Sequence, residues 1–105
     1  FGFARIFDIS DPTNIRLLST ITLPSTFDPA APNPFGVHNV FVRGNSAYFS
    51  WYEDGLVVVD FSKPTAPRVI AQFNDNNNFW GVYVQGDLIF ASDRNTGLHI
   101  FRHVP

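Results

Sequence analysis

The run Leu56-Val57-Val58-Val59 stops abruptly at Asp60, and a Pro-spaced turn follows at Ser62-Lys63-Pro64-Thr65-Ala66-Pro67. Four apolar residues in succession, with no polar alternation, predict a strand buried on both faces. Its neighbours are short apolar runs at 39–44, 46–52 and 68–73. The first two meet at Gly44-Asn45, and Asp54-Gly55 leads into the central run. Such pairs suit tight turns with positive φ, so Gly55 and its later counterpart Gly97 are expected in that region. The unit is therefore four short strands. A lone sheet cannot bury both faces of one strand, but a stack of sheets can.

The unit recurs. Placing Phe3 on Gly55 sets Ala4-Arg5-Ile6-Phe7-Asp8-Ile9-Ser10 on Leu56-Val57-Val58-Val59-Asp60-Phe61-Ser62, and the match runs on through Pro12 on Pro64 and Thr13 on Thr65 to Arg16 on Arg68. Placing Gly44 on Gly86 sets Tyr48 on Phe90, Ser50 on Ser92, and Gly55-Leu56 on Gly97-Leu98. The two offsets differ by an insertion of about ten residues in the Pro-rich stretch "PSTFDPAAPNPFG", a length that loop closure tolerates cheaply. Four antiparallel strands repeating at about 40–45 residues are the pattern of a β-propeller blade. A β-sandwich would show more polar alternation and no regular period.

The expected fold class is all-β, a β-propeller segment of about two and a half four-stranded antiparallel blades. Residues 1–23 hold the last two strands of one blade and 24–38 the Pro-rich insertion loop. Residues 39–74 form a complete blade and 75–105 three strands of the next. Closed propellers need roughly four to eight blades. The remaining partners are thus other blades of the same protein or other protein chains.

Composition narrows the function. The chain has 105 residues, 45% of them hydrophobic, and a formal net charge of -2. No Lys/Arg cluster offers a footprint for nucleic acid. No apolar stretch approaches the ~18 residues of a membrane span. Cysteine is absent, which removes disulfides, thiolate metal sites and Cys nucleophiles together. Methionine is absent even at position 1, and no signal-peptide pattern follows, so a processed or partial chain is expected.

The segments "ARIFDISDPTN", "HNVFVRGNSAYFSWYEDG", "GLVVVDFSKPTAP" and "GVYVQGDLIFASDRNTGLHIF" resemble the LVIVD repeat family, whose motif "LVVVD" nearly spells. The resemblance covers most of the chain outside the insertion. It implies a propeller in proteins that are mostly bacterial or archaeal and mostly secreted or surface-anchored, usually without an assigned activity. Arg102 stands where Asp8 and Asp60 stand in the other repeats, a departure at the final turn.

Propeller topology would gather the insertion, the stretches 51–54, 74–80 and 92–97, and His38 at one end of the blades. Loops on a rigid scaffold usually carry binding. The expected binding residues there are Trp51, Tyr52, Phe79, Trp80, His38, Asp93 and Arg94. The competing reading has the aromatics plug gaps between blades and Asp93 pair with Arg94. Prolines 29, 32 and 34 stiffen the insertion, which reduces the entropy lost on binding.

Chemistry has fewer candidates. His99 and His103 have the spacing of a helical metal pair, but on a strand they stand about 13 Å apart. The reading here is a strand-surface histidine and a frayed terminal one. Asp8, Asp60, Ser10 and Ser62 recur with the repeat, which argues for turn capping over catalysis. No Ser has a Gly-x-Ser-x-Gly context, and the polar loops lack the ligand pattern of a calcium loop. No catalytic residue, metal or cofactor is expected. The leading function is a non-catalytic interaction or scaffold module in a secreted, surface or periplasmic protein. The alternatives are a metal-dependent propeller enzyme with His38 near its axis, and a structural subunit of a larger extracellular or membrane-associated complex.

Overall fold

The computed structural model describes residues 2–26 and 36–104. It is all-β, with no helix among the described residues. Nine strands follow in chain order: β1 (Ala4–Asp8), β2 (Arg16–Ile21), β3 (Asn39–Arg43), β4 (Ser46–Ser50), β5 (Leu56–Asp60), β6 (Arg68–Phe73), β7 (Phe79–Gln85), β8 (Leu88–Asp93) and β9 (Gly97–Arg102). They form three antiparallel sheets, β1-β2, β3-β4-β5-β6 and β7-β8-β9, each strand pairing with its neighbour in the chain. The central part of the Pro-rich insertion, residues 27–35, lies outside the described residues.

The sheets stack, and the stacking explains the unbroken apolar run. Val57 and Val59 point from β5 into a cluster with Ala47, Phe49, Trp51, Ile21 and Leu23, against which Ala4 and Ile6 of the first sheet pack. Leu56 and Val58 point the other way, into a cluster with Tyr48, Phe79, Val84, Ile89 and Ala91. Successive side chains of a strand face opposite sides, so one strand serves two cores. All four residues Leu56 to Val59 are buried. Burying each such side chain contributes about 1.5–3 kcal/mol.

The internal repeat extends to backbone irregularities. The register of β1 with β2 shifts between Ile6 and Phe7, and that of β5 with β6 shifts between Val58 and Val59. These are equivalent positions, so the same bulge recurs in both sheets. The turns recur as well. Asp8 accepts a hydrogen bond from the Ser10 N–H at 2.9 Å and Asp60 one from the Ser62 N–H at 2.8 Å. Arg16 closes the first turn on Asp8 at 2.6 Å, and Arg68 the second on Asp60 at 3.4 Å. Hydrogen bonds from Ser10, helped by Arg16, lower the Asp8 carboxyl from 3.8 to about 2. Capping is what these aspartates do.

Gly55 has φ 87° and Gly97 φ 89°, both in the region that favours glycine. At Gly55 a Cβ would also stand 2.0 Å from the Phe73 carbonyl oxygen, whereas at Gly97 it would meet nothing within 4 Å.

Candidate binding site at the loop end

Hydrogen bonds between loops define one end of the stack. The Tyr52 and Phe79 backbones exchange two bonds across the second and third sheets, at 3.0 and 3.1 Å. Ser25 donates its hydroxyl to Asp54 at 2.6 Å, and Gln72 and Asn74 donate side-chain amides to the carbonyls of Asp54 and Glu53. The turns at Gly44 and Gly86 lie at the other end, where Phe61 N–H reaches Asn45 and His103 N–H reaches Asp87.

The structure divides the seven expected binding residues. Trp51 and Phe79 are 0% exposed and offer no contact surface. Trp51 packs edge-on against Phe49 in the first core, and Phe79 packs edge-on against His99 and Phe101 in the second. For these two, gap-filling between sheets is the role. Trp80, two residues beyond Asn78 on β7, is 54% exposed. Its carbonyl accepts hydrogen bonds from the His38 ring Nδ1 and from the Ser50 hydroxyl. The His38 ring centroid lies 5.4 Å from that of Trp80 and 5.2 Å from that of Tyr52. His38, Tyr52 and Trp80 thus form one aromatic surface.

Asp93 does not pair with Arg94. It is buried and accepts from Asn77 Nδ2 at 3.0 Å and from the N–H groups of Asn78 at 3.1 Å, Asn95 at 2.8 Å and Thr96 at 3.2 Å. Burial alone would raise its pKa, but these four donors, Asn77 first, reverse that and hold the carboxyl far below the ordinary carboxylate range. Asp93 therefore locks the 74–78 loop to the 93–96 turn. It occupies the place that Trp51 holds in the second sheet, so an indole and a carboxylate anchor equivalent turns. Arg94 is exposed beside it.

The histidines near the end of the chain serve structure. His99 shares a hydrogen bond with the Thr96 hydroxyl at 2.8 Å. His103 is not frayed, because its Nδ1 lies 2.5 Å from the Tyr48 hydroxyl and its N–H bonds Asp87 at 2.7 Å. Arg102, at the position that Asp8 and Asp60 hold in the other repeats, meets Asp87 at 3.0 Å. Among the described residues no group of three or more His, Cys, Asp or Glu is placed to hold a metal ion, and no helix is long and apolar enough to cross a membrane.

Sequence reasoning missed the asparagines. Asn77 is buried, and Asn78 Oδ1 is a buried acceptor with no hydrogen-bond partner among the described residues. The signal available was the density of Asn between 74 and 78, which reads equally well as a solvated turn.

No curated protein and no solved structure matches the chain. Residues 36–75, which contain all of β3 to β6, match the profile of the LVIVD repeat. The match is thus to the complete four-stranded sheet at the centre of this chain.

Proposed function

We propose that these residues are a non-catalytic interaction and scaffold segment of a β-propeller protein, about two and a half blades long. Its end faces pack against further sheets, supplied by the rest of the protein or by other chains. The LVIVD match supports the propeller part of this reading; a secreted, surface or periplasmic setting belongs to the proposal. The observation that carries it is the state of the two end sheets. On the outer face of the third sheet, Leu98 is 64% and Ile100 57% exposed, with Tyr83 at 56%. On the first sheet, Phe7 is 47% and Leu17 54% exposed, and the two are register partners. Apolar faces of this kind mark interaction surfaces.

The test is the solution behaviour of the 105-residue chain. Sedimentation velocity should show concentration-dependent association, and Tm should rise with protein concentration. The pair Leu98→Asp and Ile100→Asp should reduce that association. A monodisperse monomer of the native sequence, with a Tm independent of concentration, would sink the proposal.

A further inference from the structure

The loop end holds a polar cleft that the stacking of sheets does not use. Its volume is about 280 Å³, and it is lined by Glu53, Asn74, Asn76, Asn77, Asn78 and Asn95. Its walls are fixed before any ligand arrives. The buried Asp93 carboxylate holds Asn77, Asn78 and Asn95 together, and Asn74 Nδ2 is tied to the Glu53 carbonyl at 2.7 Å. In this frame the Asn78 Oδ1 atom is buried and, among the described residues, unpartnered. A buried acceptor without a donor costs stability, so a ligand that donates a hydrogen bond there recovers it.

The lining selects the ligand class. Side-chain amides present donors and acceptors side by side, which matches a hydroxyl group, itself donor and acceptor. Among the described residues no cationic side chain lines the cleft, so an anionic ligand finds no counter-charge there. Among the described residues Glu53 is the only carboxylate lining it, fewer than a calcium loop supplies. The aromatic surface adjoins the cleft in the sequence. Tyr52 adjoins Glu53 in the chain, Trp80 follows Asn78 by two residues on β7, and His38 packs against both rings. Polar groups that fix orientation beside an aromatic platform are the elements of a small-ligand site.

We propose that the loop end binds a neutral oligosaccharide. One sugar unit enters the cleft and donates a hydroxyl to Asn78 Oδ1, with a second hydroxyl on the Glu53 carboxylate. The next unit lies with its C–H face on the exposed Trp80 ring. This site goes beyond the packing role of the end faces and uses none of their residues.

The experiment titrates cellohexaose, xylohexaose, laminarihexaose and chitohexaose into the full chain carrying Leu98→Asp and Ile100→Asp. Binding is followed by ¹H–¹⁵N NMR, and peak dispersion reports folding in the same sample. At least one sugar should bind with Kd near or below about 1 mM. Trp80→Ala and Asn78→Ala should each weaken it about tenfold. Asn78→Ala should leave Tm unchanged or raise it, since it removes a buried unpaired oxygen; a merely structural Asn78 would lower Tm instead. Absence of shifts from all four sugars at about 10 mM overturns the site, as does binding that survives both substitutions. Shifts produced by calcium chloride alone, with none from sugars, overturn it in favour of a cation. Native-sequence association is read separately, so failure of the sheet-packing reading does not mimic failure of this one.

Discussion

Strands β5 and β9 hold equivalent places in their sheets and meet opposite surroundings. Leu56 and Val58 are each 4% exposed, whereas their counterparts Leu98 and Ile100 are 64% and 57% exposed. The side chains are nearly the same and so is the strand geometry. Burial here is decided by what is stacked on the sheet, and strand composition only makes a face ready for it. β5 has a sheet on each side; β9 has one.

The sharpest way to break this comparison is to place the same charge at both points. Val58→Asp puts a carboxylate among Tyr48, Phe79 and Val84 with no partner, and should destabilise by more than about 4 kcal/mol, enough to unfold a small domain. Ile100→Asp should change stability by less than about 0.5 kcal/mol, as surface substitutions do. Urea titrations followed by tryptophan fluorescence give both numbers. Equal losses would mean that the outer face of the third sheet is covered in solution.

The two hairpin glycines extend the comparison to the backbone. Gly55→Ala must displace the Phe73 carbonyl, because a Cβ there stands 2.0 Å from it; the expected loss is about 3 kcal/mol. Gly97→Ala meets open space and carries only the conformational penalty of its φ of 89°, about 1 kcal/mol. Similar losses in the two melts would show that steric contact with β6 is unimportant.

A smaller effect separates the two turn anchors. Asp93→Asn keeps the shape of the side chain but weakens its acceptance from four N–H donors, for a loss of about 2 kcal/mol at neutral pH. The sign of the pH dependence follows from a carboxyl held below its ordinary value in the folded state. Its contribution is complete above the unfolded-state pKa near 4 and is lost as pH falls toward the folded value. Tm of the native chain should therefore fall between about pH 4 and pH 2, and the Asp93→Asn chain should lose less over that range. Asp8, lowered to about 2 at an exposed turn, titrates in both chains. Parallel Tm curves would assign the acid sensitivity to turns such as Asp8 and Asp60.

The parts of this fold written in local pattern were legible. Leu56 to Val59 announced a strand with two buried faces, Asp54-Gly55 a hairpin with positive φ, and the Asp-x-Ser turns their own caps. The site was less legible because its contacts are long-range. Trp51 and Trp80 are both indoles beside polar loops, yet the first is wholly buried and the second half exposed. Only the placement of neighbouring sheets distinguishes them. Asp93 stands next to Arg94 in sequence, but its partners include Asn77 and Asn78, brought in by the pairing of β7 with β8. Sequence adjacency suggested an ion pair; the turn geometry delivered backbone donors instead.

The hairpin of β4 and β5 contributes to both hydrophobic clusters at once. In kinetic terms this makes it the natural nucleus. Its strands are joined by a short turn, so closing it costs little chain entropy, and once formed it offers a template surface on each side. The outer sheets then add to it in either order, each condensing on a face that already exists. Damage to the first or third sheet would mainly speed unfolding, while damage to this hairpin would slow folding itself. The chain's middle sets the pace, and its ends inherit it.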